Sequence, residues 1–343
     1  MNLLRIIRSG LCSTVQDLGR GQYRSLGIPC GGAMDRMSHE LANCLVGNSA
    51  NTATIEMTLT GNEIQFGNDT LIAITGANME PVVISDGEIR HHVAQHCPVL
   101  IAAGCVLRFQ VARRGCRCYV AIAGGVDVPV VMGSRSTLLL AGFGGHCGRT
   151  LMAGDTLPAG MPTVAGLEIH SRLSGLLLQS TIQPRWFVRP VELPNSEVAT
   201  LRCVSGAHSS LLTSMSYERL LEAEFRVSSQ SDRMGYRLTD QTLELERVKE
   251  LLSEGVVAGT LQLPPDGNPI LLMADCAPTG GYPRIGHVIS ADMSIAAQLR
   301  PGQFVRFSMV SLEEAQQLFL QQRRTLQNSL TMAAMQFPKK TGC

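Results

Sequence analysis

The 343-residue sequence predicts a mainly β protein of two domains with few helices, and three observations carry that expectation. A glycine, two residues, an aliphatic residue, a polar residue and Phe recur as "GNEIQF" at 61–66, "GCVLRF" at 104–109 and "GQFVRF" at 302–307. Each is a turn feeding an alternating strand. Turn signals such as "TGAN", "SDGE", "RRGC", "AGGVD", "MAGD" and "PPDG" punctuate the chain at roughly ten-residue intervals, as short antiparallel strands require. The length is generous for one core and suits two. Such strands close into barrels or stack as sandwiches.

Composition narrows the function classes. The chain is 45% hydrophobic and 17% charged with a formal net charge of +1, which offers no basic field for a polyanion, so no nucleic-acid partner is expected. Lysine occurs only at 249, 339 and 340, and no Gly-Lys-Ser/Thr is present to form a P-loop. Eleven cysteines without a C-x-x-C indicate neither a disulfide framework nor a zinc ribbon and point to a reducing cytoplasm. Arg5 and Arg8 interrupt the apolar N-terminus, unlike a signal peptide, and no apolar run reaches the roughly 18 residues of a membrane helix.

Along the chain, "VQDLGRGQYRSLGIPCGGAMD" (15–35) reads as a strand ending at Gln16, Asp17 and Arg20, then a double-glycine turn that delivers Asp35 to a helix start. By itself this is a surface turn with an Asp favoured by the helix dipole. "AMDRMSHELANCLVG" has helical spacing and stops at Gly47. In "RHHVAQHC", His92 and His96 on a strand lie too far apart to share one ion, so His91, His92 and His96 are read as surface histidines and no metal site is expected. "AGFGGHCGRT" fails the dinucleotide spacing G-x-G-x-x-G and reads as a glycine-rich turn, with a backbone anion nest as the alternative. An irregular stretch follows, and its Pro-rich part from Pro184 to Pro194 is the boundary candidate.

Beyond it the strand and loop order begins afresh. "SSLLTSMSYERLLEAEF" is helical, and "SSQSDRMGYRL" holds Arg233 in a polar loop, where it forms a solvated ion pair or grips a carboxylate. "NPILLMADC" and "HVISADM" read as strands flanking "CAPTGGYPRIGHV", which is longer than a tight hairpin requires. Cys30 and Cys276 are nucleophile candidates by type, although most such residues are small buried hydrophobes. Ser311 and Glu314 stand at capping-box spacing ahead of a C-terminal amphipathic helix, and "QFPKKTGC" reads as a frayed end.

In order, "TVQDLGR", "GGAMD", "LANCLVGN", "IEMTLTG", "AIAGGVDVPVVMGSRST", "GGHCGRTL", "SDRMGYRL", "SEGVVAGTLQLPPDGNPILLMAD" and "TGGYPRIGHVISADM" resemble the biotin-dependent carboxyltransferase family, subdomains A and B, over about residues 3–310. The resemblance implies two tandem cyclophilin-like β-barrels with a few short helices and a C-terminal helix: subdomain A at 1–190, subdomain B at 191–315, and a helix with tail at 316–343. It further implies one component of a multi-subunit, ATP-dependent 5-oxoprolinase, opening 5-oxo-L-proline to L-glutamate with 5-oxoprolinase subunits A and B as partners. Two other readings within the family are a biotin-dependent carboxyltransferase acting on urea or another amide, and a regulatory partner of a protein like the B subunit. The chain lacks Met-Lys-Met, so it carries no covalent biotin, and ATP with Mg2+ would be bound by or shared with another subunit.

Lactam opening requires carboxylate recognition, an acid or base near the ring N–H, and donors around developing charge. Carried over by motif position, Arg20 and Arg233 are expected to bind anion, and Asp17, Asp35 and Asp275 to orient groups or transfer protons. Tyr282 with the Gly280 and Gly281 amides is expected at the amide or oxyanion, with Gln16, Asn43 and Gln262 as hydrogen-bonding substrate contacts. The chain alone is expected to be inert without its partners.

Overall fold

The computed structural model describes residues 2–85, 90–177, 180–188, 197–247 and 251–335. The chain divides into two compact units, Met1–Gly19 with Arg36–Leu193 and Arg324–Cys343, and Arg20–Asp35 with Pro194–Arg323. A short segment near the N-terminus, Arg20–Asp35, is thus grouped with the C-terminal half. Part of the Pro184–Pro194 boundary stretch and the whole of "QFPKKTGC" lie outside the described residues.

The first unit contains β1 (Leu3–Arg8), β2 (Cys12–Gln16), α1 (Arg36–Leu45), β3 (Thr54–Thr58), β4 (Glu63–Phe66), β5 (Thr70–Asn78), β6 (Val82–Ile84), β7 (Arg90–His92), β8 (Pro98–Ile101), β9 (Val106–Arg108), β10 (Arg114–Ile122), β11 (Thr156–Pro158), α2 (Val164–Ser174) and β12 (Thr181–Ile182). They form two six-stranded sheets, β11-β1-β4-β9-β6-β7 and β12-β8-β5-β10-β3-β2. Alternation decides which face is dry. Leu4, Ile6, Ile64, Phe66 and Leu107 of one sheet and Ile55, Met57, Ile72, Ile74, Val120 and Ile122 of the other fill one core. Each such side chain contributes about 1.5–3 kcal/mol on burial. The opposite face of the second sheet is polar yet buried, with Thr14, Glu56, Tyr119 and Thr75 in one cross-strand row. Helix α1 packs against β5 and β10.

The second unit holds β13 (Val198–Ser205), α3 (Ser214–Glu222), β14 (Phe225–Val227), β15 (Gly235–Thr239), β16 (Glu254–Gly255), β17 (Thr260–Gln262), β18 (Ile270–Leu272), β19 (Thr279–Gly280), β20 (Arg284–Val288), α4 (Met293–Ala297) and β21 (Phe304–Met309), from which α5 (Leu312–Met335) follows. Seven strands close a barrel in the order β13-β20-β17-β18-β15-β14-β21. Its closing pair, β13 with β21, is parallel, whereas its other pairs are antiparallel. Leu201, Phe225, Leu238, Leu261, Leu271, Ile285, Val305 and Phe307 fill the core, and Met34 of the Arg20–Asp35 segment is buried with them.

The expected mainly β architecture, with a few short helices and a C-terminal helix, is what the chain adopts. The recurring glycine-to-Phe pattern falls on β4, β9 and β21. Ser311 Oγ accepts the Glu314 N–H at 3.1 Å, so α5 starts where the capping-box spacing put it. Two stretches differ. The region read as irregular contains α2, N-capped by Thr163, whose hydroxyl accepts the Gly166 N–H at 3.1 Å. The strand expected through "HVISADM" ends at Val288, because Asp292 turns back to accept the Arg202 N–H at 2.7 Å and its Nε at 3.0 Å.

Candidate functional site

In the second unit the Arg20–Asp35 segment is pinned at both ends of its double-glycine turn. Gly31 N–H donates to the Ala274 carbonyl at 3.1 Å, the Arg20 N–H to the Cys30 carbonyl at 2.8 Å, and the Arg24 guanidinium to the Val256 carbonyl. Gly31 and Gly32 have φ of 65° and 91°, a region that only glycine enters freely. A Cβ on Gly31 would lie 3.3 Å from Arg20 Nη1 and 3.6 Å from Asp275 Oδ1, so this turn sits directly against a guanidinium and a carboxylate.

Arg233 completes the cluster. Its Nε donates to Asp275 Oδ2 at 2.8 Å, its Nη2 to Asp275 Oδ1 at 3.0 Å and to the Gly32 carbonyl at 2.6 Å. The loop that presents it is set by Asp232, whose Oδ1 accepts the N–H groups of Met234 and Gly235 at 2.8 and 3.2 Å. Arg20, Arg233 and Asp275 are 2%, 8% and 3% exposed, so these charges interact in a low-dielectric setting where pairing is obligatory. Asp35 is also buried and accepts the Gln298 Nε2–H at 2.8 Å.

Beside it, β16 and β19 pair as a two-stranded flap, Glu254 with Gly280 and Gly255 with Thr279. Gln262 lies buried on β17, with Nε2 at 3.5 Å from the Tyr282 carbonyl. A Cβ on Gly280 would come within 2.6 Å of that Nε2, so the absence of a side chain at 280 lets the flap backbone reach the Gln262 amide. Gly281 backs onto the Leu251 carbonyl, 3.4 Å from where its Cβ would be. Tyr282 is 46% exposed, and Arg284 pairs with Glu254. Burial raises the Cys276 thiol to about 11, which leaves it protonated at neutral pH and removes the reason to read it as a nucleophile.

In the first unit, the Asp17 carboxylate accepts Ser134 Oγ at 2.7 Å, Ser136 Oγ at 2.5 Å, the Arg135 N–H at 2.6 Å and the Gly19 N–H at 2.8 Å. Burial pushes its pKa up, but these four donors outweigh burial and hold it below the ordinary carboxylate value. Gln16 Nε2 donates to Thr14 Oγ1 at 2.9 Å and to the Thr137 carbonyl at 3.2 Å. Asn43 is fully buried, with Nδ2 on the Thr52 carbonyl at 2.7 Å and Oδ1 accepting Asn48 Nδ2 at 3.0 Å, which fastens the end of α1. A polar cleft of about 380 Å³ opens beside this loop, lined by Ser49, Asn51, Asp127 and Arg135 among others.

Of the residues singled out from sequence, Arg20, Arg233 and Asp275 therefore meet around Gly31, and Gln262, Gly280 and Tyr282 meet at the flap. Gln16, Asp17 and Asn43 belong to the first unit. Sequence reading missed Ser134, Arg135 and Ser136, the cradle of Asp17, and also Asp232 and Gln298. For Asp232 an Asx-turn signal was present in "SDRMG". For the others the partner lies more than a hundred residues away and no local pattern announces it. His91 and His92 lie on or beside β7, whereas His96 occupies a left-handed turn (φ 64°) and burial lowers its pKa to about 4.

Comparison with known proteins places the chain in a family. The chain is 39% identical to the C subunit of 5-oxoprolinase from Escherichia coli over 313 residues, covering 91% of this chain and 93% of that protein. It is 37% identical to the Haemophilus influenzae protein of the same name, covering 89% and 91%. Among solved structures it resembles the Kluyveromyces lactis urea carboxylase with a TM-score of 0.83 at 25% identity, over 95% of this chain but 29% of that one. A mainly β chain with a closed seven-stranded barrel and this likeness is of the carboxyltransferase class. Residues 26–309 match the model of the carboxyltransferase domain, subdomain A and B, and the chain belongs to that family.

Proposed function

We propose that this chain is the C subunit of a multi-subunit, ATP-dependent 5-oxoprolinase, acting with subunits A and B to open 5-oxo-L-proline to L-glutamate in the cytoplasm. The observation that carries this reading is the end-to-end likeness to two proteins named as that subunit, against a likeness to less than a third of the urea carboxylase. The chemistry of the site supports it. A lactam carrying one carboxylate needs a cation for that group, and Arg20 supplies a buried guanidinium beside Asp275. We assign Asp275, aligned by Arg233, to the ring N–H, and Gln262 with the Gly280–Gly281 backbone to hydrogen bonds with the amide.

ATP serves as co-substrate, activating the amide oxygen by phosphorylation so that water can attack the carbonyl carbon and the C–N bond can break. We assign the Mg2+-bound nucleotide to a site bound by or shared with a partner subunit. No helix among the described residues is long and apolar enough to cross a membrane. The test is reconstitution: this chain with subunits A and B, ATP, Mg2+ and 5-oxo-L-proline should release glutamate, and omission of any one subunit should abolish it. A silent mixture that instead carboxylates urea when given carboxybiotin assigns the chain to the carboxyltransferases. Tight binding to the B subunit with no turnover of either substrate leaves the regulatory reading.

A further inference from the structure

We propose that Gln298 is a positioning residue of the site, holding Asp35 and, through it, the Gly31–Gly32 turn against Arg233 and Asp275. Gln298 ends α4, its N–H donates to the Ile295 carbonyl at 3.0 Å, and the preceding Ala296 and Ala297 are fully buried in the barrel core. Its backbone is therefore fixed. Its side chain, 2% exposed, donates from Nε2 to Asp35 Oδ2 at 2.8 Å, and Asp35 is 1% exposed. A carboxylate so deeply buried needs donors to remain in place, and a neutral amide provides one without adding a charge.

The turn depends on such an anchor. Gly31 and Gly32 both have positive φ and carry no side chains, so the backbone there has more accessible conformations than any other residue type would allow. Asp35 is three residues beyond Gly32, a span of at most about 10 Å, so displacement of one moves the other. On the upstream side the same turn gives the Gly32 carbonyl to Arg233 Nη2 and takes the Ala274 carbonyl through Gly31 N–H. Ala274 is next to Asp275. Losing the Gln298 anchor therefore loosens the turn on which the Arg233 fork and the Arg20 guanidinium are registered.

Two variants and two readouts test this, with the full chain. Amide hydrogen exchange is followed in the peptide covering 20–35 and, as an internal control, in the peptide covering β13. Gln298→Leu is expected to speed exchange in 20–35 at least about tenfold while β13 is unchanged. Gln298→Glu places two carboxylates side by side, and like charges at contact cannot both stay ionised, so the pair takes up one proton as pH falls. The O–H···O bond then replaces the lost N–H···O bond. Gln298→Glu should thus resemble Gln298→Leu at pH 8 and regain protection in 20–35 toward pH 6, a recovery that neither wild type nor Gln298→Leu shows. In the complex with subunits A and B, glutamate release should follow the same acid-side recovery. Wild-type exchange in both variants, loss of protection in β13 as well as 20–35, or no recovery in Gln298→Glu overturns the proposal. The activity arm rests on the oxoprolinase reading, whereas exchange does not: a wild-type complex that releases no glutamate defeats that reading and leaves exchange to decide the role of Gln298.

Discussion

Arg233 and Asp275 are joined by both side chain and backbone. The guanidinium grips the carboxylate through Nε and Nη2 at 2.8 and 3.0 Å, and the Asp275 N–H donates to the Arg233 carbonyl at 2.9 Å. The loop after β14 and the end of β18 are thereby fastened at the point where the Gly32 carbonyl also arrives, 2.6 Å from Nη2. A pair of this kind fixes the orientation of the carboxylate and simultaneously sets the position of the turn whose Gly32 carbonyl it holds.

Breaking that pair should be costly in a specific way. Arg233→Ala leaves the Asp275 carboxylate buried at 3% exposure without its fork, and a loss of about 3–5 kcal/mol in unfolding free energy is expected. Arg233→Met combined with Asp275→Leu removes both charges and should cost less than Arg233→Ala alone, although activity of the complex stays abolished. Urea denaturation of the variants and of the double variant checks this. A double variant less stable than Arg233→Ala would mean that the pair contributes net stability rather than orientation.

Gly280 separates the geometry of the flap from the stability of the barrel. In Gly280→Ala the new methyl would lie 2.6 Å from Gln262 Nε2, the far end of a flexible side chain that can swing aside. The stability loss should therefore stay within about 1.5 kcal/mol, while kcat/KM of the reconstituted complex falls by about tenfold or more because Gln262 no longer meets the amide. Adding Gln262→Ala should restore the melting temperature and leave activity low.

Much of this architecture was legible in the sequence because it rests on local periodicity. β4, β9 and β21 follow from a turn glycine and period-two alternation, and α5 from Ser311 and Glu314. Helix α2 was not legible: it buries only Gly166 and Leu173, so it lacks the apolar stripe that announces a helix. The end of β20 at Val288 was hidden because Ile289 and Ala291 continue an apolar run, and the reason the strand stops is a contact between Asp292 and Arg202, 90 residues away. The candidate site shows the same division. The family motifs marked Arg20, Arg233, Asp275 and Gly280 by position, whereas the partners that orient them are supplied by tertiary contacts that no spacing encodes, including Gln298 to Asp35 across 263 positions.

Asp17 should prove indispensable to its loop. Four donors converge on its carboxylate, and Asn at this position replaces one acceptor oxygen with an NH2 that opposes those donors. Asp17→Asn is expected to lose about 2–4 kcal/mol, given the cost of leaving buried polar groups unmatched. Asp17→Glu, which keeps the charge but overfills the cradle, should fall between wild type and Asp17→Asn. Chemical denaturation at pH 7 measures both, and an Asp17→Asn variant as stable as wild type would show that water substitutes for the carboxylate.

Acid sensitivity of the first unit should come from His39 before it comes from the carboxylates. The imidazole is fully buried between Thr54 Oγ1 at 2.9 Å and the Ala50 carbonyl at 3.0 Å, and burial lowers its pKa from 6.5 to about 4. The unfolded chain therefore takes up a proton on His39 below about pH 6.5 that the folded chain refuses until about pH 4. Its contribution is complete above pH 6.5, declines as pH falls through that window, and amounts to roughly 3 kcal/mol at its fullest. Asp17, whose pKa is held below the ordinary 3.8, adds its own loss only toward the acid end of this window, where the unfolded chain begins to protonate that carboxylate while the folded chain keeps it ionised. His39→Gln should be less stable than wild type at pH 7.5, yet should show a distinctly shallower fall between pH 6.5 and 4. Urea midpoints measured at half-unit pH intervals for the two proteins decide this, and parallel curves would place the acid sensitivity elsewhere, first on His96, which burial shifts in the same direction.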